Sequence, residues 1–159
     1  VTLPKGKITS DILLCCLFEV KNVDPRLKDL TYQVYLAHEA HYTTTHSYRA
    51  FGEGPSISSE WQWEWVVLPD GQTWVIHNGS GEVIRELPLI YTKVALGFLS
   101  VYNTSFAKNL VIHVERSLPD LARGYCEGLD ERRMPLSSVG SLTNGLILGA
   151  ALYFIENNS

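Results

Sequence analysis

The segment SEWQWEWVV, residues 59–67, carries three of the four tryptophans of the chain at alternating positions. Alternation at period two places Trp61, Trp63 and Trp65 on one face of an extended strand, whereas a helix would scatter them around its axis. The segment is therefore predicted to be a β-strand. A row of indoles on one face suits either stacking on sugar rings or packing of the strand onto the rest of the domain. Trp63, at the centre of the row, is the one that we expect to be buried.

The residues that follow predict that this strand is half of a β-hairpin. The sequence LPDGQ, residues 68–72, contains an Asp-Gly pair, which supplies the positive φ that a tight turn requires. Residues 73–77 alternate as a returning strand, and the turn-forming sequence NGSG at 78–81 closes the unit. The sequence thus predicts one hairpin.

The rest of the chain is predicted to be mainly helical. Asp24 suits the cap and Pro25 the first position of a helix that ends near Thr44. An apolar segment and three further helical segments are found at residues 8–18, 88–99, 106–115 and 143–156. The helices look enclosed rather than merely amphipathic, which favours packed antiparallel helix pairs with the hairpin inserted between them.

Composition and charge exclude several classes of protein. The 159 residues, 45% of them apolar, are enough to form one domain, residues 1–159, with its own core. The formal charge is −4 and the cations are dispersed, so a nucleic-acid partner is not expected. The longest apolar runs, 12–18 and 146–155, are too short for a transmembrane helix. A first residue that is Val1 rather than methionine indicates a removed leader or part of a longer product, and we expect a secreted or extracytoplasmic protein.

The sequence predicts neither a metal site nor a cofactor. Cys15 and Cys16 lie in an apolar segment, where thiols behave as small hydrophobes, although a bridge to Cys126 stays open in an oxidising compartment. His38 and His41 are three residues apart, whereas the zinc-protease motif needs four. Hydrogen-bonded core histidines are therefore favoured.

Three triplets fit the acceptor pattern for N-glycosylation. They begin at Asn78, Asn103 and Asn157. They matter only in a host that glycosylates proteins.

Carboxylates near glycine-rich loops are the candidates for chemistry. Glu53 lies in a Gly-Glu-Gly loop just before the tryptophans, and Glu131 lies close to Glu127 and Asp130. Glycoside cleavage needs one protonated acid and one ionised base or nucleophile beside groups that hold the sugar. Solvated loop charges are the alternative explanation. Lys93, inside an apolar helix, must reach the surface or meet a carboxylate, because an unpaired buried ammonium is costly.

Several sequence blocks resemble a bacterial family of domains of unknown function in order and spacing. The blocks include VYLAHEAHY, PDGQTW and YTKVALGF, and cover residues 26–42, 51–53, 69–74, 91–98, 124–125 with 128–131, and 143–148. The resemblance implies a glycoside-hydrolase-like α/α-toroid. This chain would be its second, C-terminal half: a mainly α fold of packed antiparallel helices with one inserted β-hairpin.

The resemblance also implies a set of functional residues. The recurrent polar and glycine positions around the toroid cavity correspond to Glu53, Thr92, Lys93, Glu131, Thr143, Asn144 and Gly145. Glu53 and Glu131 are then the predicted catalytic acid and base. The predicted substrate-binding residues are Lys93, Asn144, Thr92, Trp61 and Trp65.

We therefore expect a carbohydrate-active or carbohydrate-binding module that acts on a polysaccharide or glycan. Two departures from the family pattern support a second expectation: Gly149 replaces a usual glutamate, and Asp130 a usual aromatic residue. The helices that would close the ring are also outside these residues. The alternative is a non-catalytic structural protein that forms a homo-oligomer or filament, or that pairs with a chain supplying the missing half-ring.

Overall fold

The computed structural model describes residues 1–20, 22–85, 87–118 and 121–157. The helices in these residues are α1 (Ser10–Glu19), α2 (Pro25–Thr45), α3 (Thr92–Tyr102), α4 (Ser105–Glu115) and α5 (Ser141–Asn157). The strands are β1 (Glu53–Pro55), β2 (Trp61–Val67), β3 (Thr73–Asn78), β4 (Ile90–Tyr91) and β5 (Gly128–Leu129). A 3-10 turn occupies Leu121–Arg123.

The fold is a mixed α/β fold, so the prediction of a mainly α half-toroid with one inserted hairpin is wrong. The hairpin forms as predicted from β2 and β3, but β1 adds a third antiparallel strand in the order β1-β2-β3. A second antiparallel sheet pairs β4 with β5. Residues 90–91 were expected at the start of a helix, and residues 128–129 in a loop.

The second sheet escapes sequence reasoning because its strands have only two residues each. Ile90 pairs with Leu129, and Tyr91 pairs with Gly128. An apolar pair just before a helix has the same pattern as the first helical turn, and periodicity cannot separate the two. The pairing instead depends on a distant glycine, whose absent side chain lets two backbones approach closely.

The helix cap predicted from the sequence at Asp24 is confirmed. The Asp24 carboxylate accepts a hydrogen bond from the backbone N–H of Arg26 at 2.8 Å, and Pro25 is the first residue of α2. Thr104 caps α4 in the same way, through the backbone N–H of Ala107 at 3.2 Å. These caps satisfy donors that have no partner within the helix.

The core lies around α3, which packs against α1, α4 and α5. Tyr35 of α2 meets Phe98 of α3 edge to face, with ring centroids 5.4 Å apart. His38 is fully buried beside them; its Nδ1 donates to the Val34 carbonyl and its Nε2 accepts from the Phe51 N–H. Burial lowers the pKa of His38 to about 4. The prediction of a hydrogen-bonded core histidine is confirmed for this residue.

In the described part of the chain, no helix has both the length and the apolar character needed to cross a bilayer. All three cysteines are free. The buried Cys126 thiol donates to the Gly128 carbonyl at 3.5 Å. The disulfide that the sequence left open is therefore not formed.

Candidate functional site

The strand β2 directs its tryptophans away from the core and its polar residues into it. Gln62 and Glu64 are 1% and 0% exposed, whereas Trp61 is 39% exposed. Trp63 and Trp65 are half-buried, so the expectation that Trp63 would be buried is wrong. Alternation defines two faces of a strand but does not say which face meets the core.

The outer face of the three-stranded sheet carries a row of three different functional groups. Trp63 lies between Glu53 of β1 and His77 of β3 in the strand register. Opposed residues of antiparallel strands share a face, so a carboxyl, an indole and an imidazole stand side by side. The indole N–H of Trp65 donates to His77 Nδ1 at 3.2 Å. We call Glu53, Trp61, Trp63, Trp65 and His77 the sheet surface.

A buried ion pair lies behind Glu53. Lys93 Nζ is 2.8 Å from Asp11 Oδ2, and the two side chains are 1% and 6% exposed. The ammonium also donates to the Glu53 carbonyl at 2.6 Å, while Asp11 Oδ2 accepts from the Glu53 N–H at 3.1 Å. The pair therefore holds the backbone of Glu53 on both sides. Lys93 meets a carboxylate, which is one of the two outcomes that the sequence required.

The surroundings of the Glu53 carboxyl favour its protonated form. Burial raises its pKa above the usual value, and the nearby charge of Asp11 adds to the rise. Lys93 and a hydrogen bond from the Trp63 side chain oppose it. A carboxyl with a raised pKa suits proton donation.

Glu131, the other predicted catalytic residue, lies in an exposed turn. The neighbouring Asp130 is buried, and its Oδ1 accepts the N–H groups of Arg132 and Met134 at 2.8 Å each. No hydrogen bond or ion pair joins Glu131 to Glu53 in the residues that the structure describes. The charged groups that act on the Glu53 pKa are Asp11 and Lys93.

The remaining predicted site residues take part in backbone contacts. Thr92 is fully buried, and its N–H donates to the Glu127 carbonyl at 3.0 Å. Asn144 clamps a loop: its side chain bonds the N–H and carbonyl of Tyr125 and the carbonyl of Gly140, each at 2.9 Å. Their predicted roles in substrate binding stay predictions.

Besides Asp130, sequence reasoning missed three buried carboxylates as structural centres: Asp11, Glu64 and Glu127. Glu127 accepts the Thr143 hydroxyl, and its carboxylate lies so close to Gly140 that a Cβ there would be 2.1 Å from Oε1. A lone acid inside the apolar segment 8–18 was a usable signal for Asp11. Nothing local distinguishes Glu64 from a solvated strand residue.

Glu64 is the most enclosed acid of the three. Its Oε1 accepts from Gln62 Nε2 at 2.9 Å and from the Leu89 N–H at 2.6 Å. Its Oε2 has no hydrogen-bond partner in the described residues. Burial raises the pKa of Glu64 well above the usual value, and the bonds from Leu89 and Gln62 oppose the rise only in part.

Glu64→Gln is expected to change how stability depends on pH. A carboxyl with a raised folded-state pKa binds its proton more tightly in the folded chain than in the unfolded chain. Its stabilising effect is therefore complete at low pH and is lost as the pH rises from the usual value of 4.5 through the raised pKa. Urea denaturation from about pH 5 to about pH 8 should show wild type losing stability relative to the variant.

Glu60 is exposed, so Glu60→Gln is the matched control. Its free energy of unfolding should change with pH as that of wild type does. Parallel curves for wild type and Glu64→Gln would contradict the assignment. The pKa of Glu64 would then not differ between the folded and unfolded chain.

The predicted glycosylation sites differ in accessibility. Asn103 is exposed, directly after α3, and Asn78 is half-buried at the end of β3. Asn157 is exposed, but the other two residues of its triplet, 158–159, lie outside the described residues. Modification at these sites stays a prediction.

The predicted homo-oligomer also stays a prediction. The helix α5 exposes two large apolar side chains, Leu148 and Leu152.

Comparison with curated proteins and with solved structures gave no match. A family profile, described as a protein of unknown function (DUF3131), matches residues 2–157. The match spans nearly the whole chain, as the resemblance of the sequence blocks indicated, whereas the toroid that the resemblance implied is not the fold observed. The chain belongs to the DUF3131 family of proteins of unknown function.

Proposed function

We propose that this chain is a carbohydrate-binding protein and that the sheet surface is its glycan-binding site. The observation that carries the proposal is the cross-strand row of Glu53, Trp63 and His77 beside the exposed Trp61. An indole face offers a flat apolar platform for the C–H face of a sugar. The adjacent carboxyl and imidazole offer hydrogen-bonding groups for its hydroxyls.

The sheet surface is held in place by contacts that a ligand does not have to create. The register of three strands fixes the row, and the bond from the Trp65 indole orients His77. The buried pair of Asp11 and Lys93 holds the backbone of Glu53. A preorganised site loses less conformational freedom on binding, which favours affinity.

Binding is better supported than hydrolysis. The raised pKa of Glu53 suits a general acid, but hydrolysis also needs a second carboxylate, roughly 5–9.5 Å away. The charge of Asp11 helps to raise the pKa of Glu53, but the Asp11 side chain is buried and already paired with Lys93. Glu131 is accessible but lies in a separate turn. The secreted location predicted from the sequence belongs to the same proposal, in which the glycan is an extracytoplasmic one.

The test is a titration of the protein with a panel of soluble polysaccharides, in which binding is measured from the change in tryptophan fluorescence. Trp61→Ala and Trp63→Ala should each weaken binding about tenfold, because each removes a stacking face. Glu53→Gln should weaken it less, since the amide keeps most of the hydrogen bonding. Tyr32→Ala is the matched control, an exposed aromatic residue of α2 outside the sheet surface.

Two results would contradict the proposal. One is the absence of binding to every polysaccharide of the panel. The other is binding that Trp61→Ala and Trp63→Ala leave unchanged. Release of reducing sugar that Glu53→Gln abolishes would extend the function from binding to hydrolysis.

A further inference from the structure

A pocket of about 330 Å³ lies where α2, the loop after it, α4 and the turn after β5 meet. Its polar and aromatic lining consists of Tyr42, Tyr48, Asn109, His113, Arg116 and Arg133. None of these residues belongs to the sheet surface. The volume falls in the lower part of the range for small-ligand sites, roughly 300–1,000 Å³.

One wall of the pocket is a stack of aromatic rings. Tyr42 and Tyr48 lie nearly parallel, with centroids 4.2 Å apart. His113 contacts Tyr48 at 4.7 Å, and Phe106 supports both tyrosines from the core side. Because each ring is held by its neighbours, the wall is a preformed surface.

Two arginines, Arg116 and Arg133, complete the lining of the pocket. Arg116 and Arg133 are both exposed, and in the described part of the chain neither side chain makes an ion pair or a hydrogen bond. Arg26, by contrast, is paired with Asp24 at 2.7 Å. Two guanidinium groups that make no ion pair with a described residue give this pocket a positive potential.

The position of Arg133 is set by the turn that carries it. Its backbone is left-handed, with φ 64°, and its N–H donates to the Asp130 carbonyl at 2.9 Å. Arg133 also acts on a ring of the pocket. Burial lowers the pKa of His113, and the positive charge of Arg133 lowers it further. The imidazole is therefore neutral near pH 7 and adds no third charge.

We infer that this pocket binds a small ring-shaped ligand that carries an oxyanion, either a carboxylate or a phosphate ester. The planar fork of arginine matches both groups through paired N–H donors. The aromatic wall supplies a face for the ring, and Asn109 supplies an amide for its hydroxyls. The inference rests on residues that the proposed glycan site does not use, so it stands or falls separately.

The test compares glucuronate, glucose 6-phosphate and uncharged glucose, with binding followed by NMR on the isotope-labelled chain. Both charged sugars, or one of them, should shift the signals of Tyr48, His113 and Arg133, whereas glucose should not. Binding by glucuronate alone identifies a carboxylate ligand, and binding by glucose 6-phosphate alone a phosphate ester. The His113 pKa should rise when the anion is bound, because an adjacent negative charge favours the imidazolium.

The double variant Arg116→Ala and Arg133→Ala should weaken binding at least about tenfold. Arg132→Ala is the matched control, since this arginine is exposed in the same turn but does not line the pocket. In the ligand titrations, three results would overturn the inference: no shift at about 10 mM of either charged sugar, equal shifts with glucose, or shifts that cluster at the sheet surface instead. An equal loss with Arg132→Ala would also overturn it.

Discussion

Lys93→Met is expected to destabilise the folded chain by about 3–5 kcal/mol, which is the usual cost of breaking a buried ion pair from one side. The substitution leaves the Asp11 carboxylate 6% exposed without its cation. It also removes the donor to the Glu53 carbonyl. The free energy of unfolding from urea denaturation measures the loss.

The double variant Asp11→Asn with Lys93→Met separates the charge from the packing. With neither charge of the Asp11–Lys93 pair left, it should lose less stability than the sum of the two single variants. Lys108→Met, at an exposed position of α4, is the control and should stay within about 0.5 kcal/mol of wild type. Additive losses, or a Lys93→Met variant as stable as this control, would show that the pair does not hold the core together.

Gly128→Ala is expected to cost about 3 kcal/mol or more, because the space for a Cβ is already filled by backbone. A Cβ at this position would lie 2.4 Å from the Ile90 carbonyl oxygen and 3.1 Å from the Tyr91 Cα. Neither atom is the end of a flexible side chain, so the β4–β5 pairing itself must give way. Thermal unfolding and urea denaturation both measure the effect.

Gly145→Ala provides the matched control for this substitution. Gly145 lies inside α5, and a Cβ there would meet nothing within 4 Å. Alanine should therefore stabilise the helix by about 0.5–1 kcal/mol. Similar changes for the two glycines would contradict the close approach of β4 and β5. Gly128 matters beyond its own strand, since the same pairing brings the Glu127 carbonyl to the Thr92 N–H at the start of α3.

The features that the sequence predicted correctly are those that depend on neighbours along the chain. Asp24 and Pro25 begin α2, and Asp70 with Gly71 turns the hairpin, because a cap or a tight turn is complete within a few residues. The strand β2 followed from alternation alone. These local rules hold whatever the rest of the chain does.

The candidate site was predictable only in part. Glu53 was identified from its loop and from the resemblance, and it lies on the sheet surface as a half-buried acid. Glu127 and Glu131 are four residues apart and equally polar, yet one is buried against Thr143 and the other is exposed. No pattern in that loop separates them, because their surroundings come from α5 and from the turn.

The sequence by itself therefore determined where helices, caps and the hairpin form, since short-range geometry and periodicity specify them. Only the tertiary structure decided which face of β2 meets the core, that β4 finds β5, and that Asp11 pairs with Lys93. Each of these depends on a partner far away in the chain. Burial, register and ion pairing exist only after the chain has folded, and so the inward turn of Glu64 and the outward turn of the tryptophans could not be read from alternation.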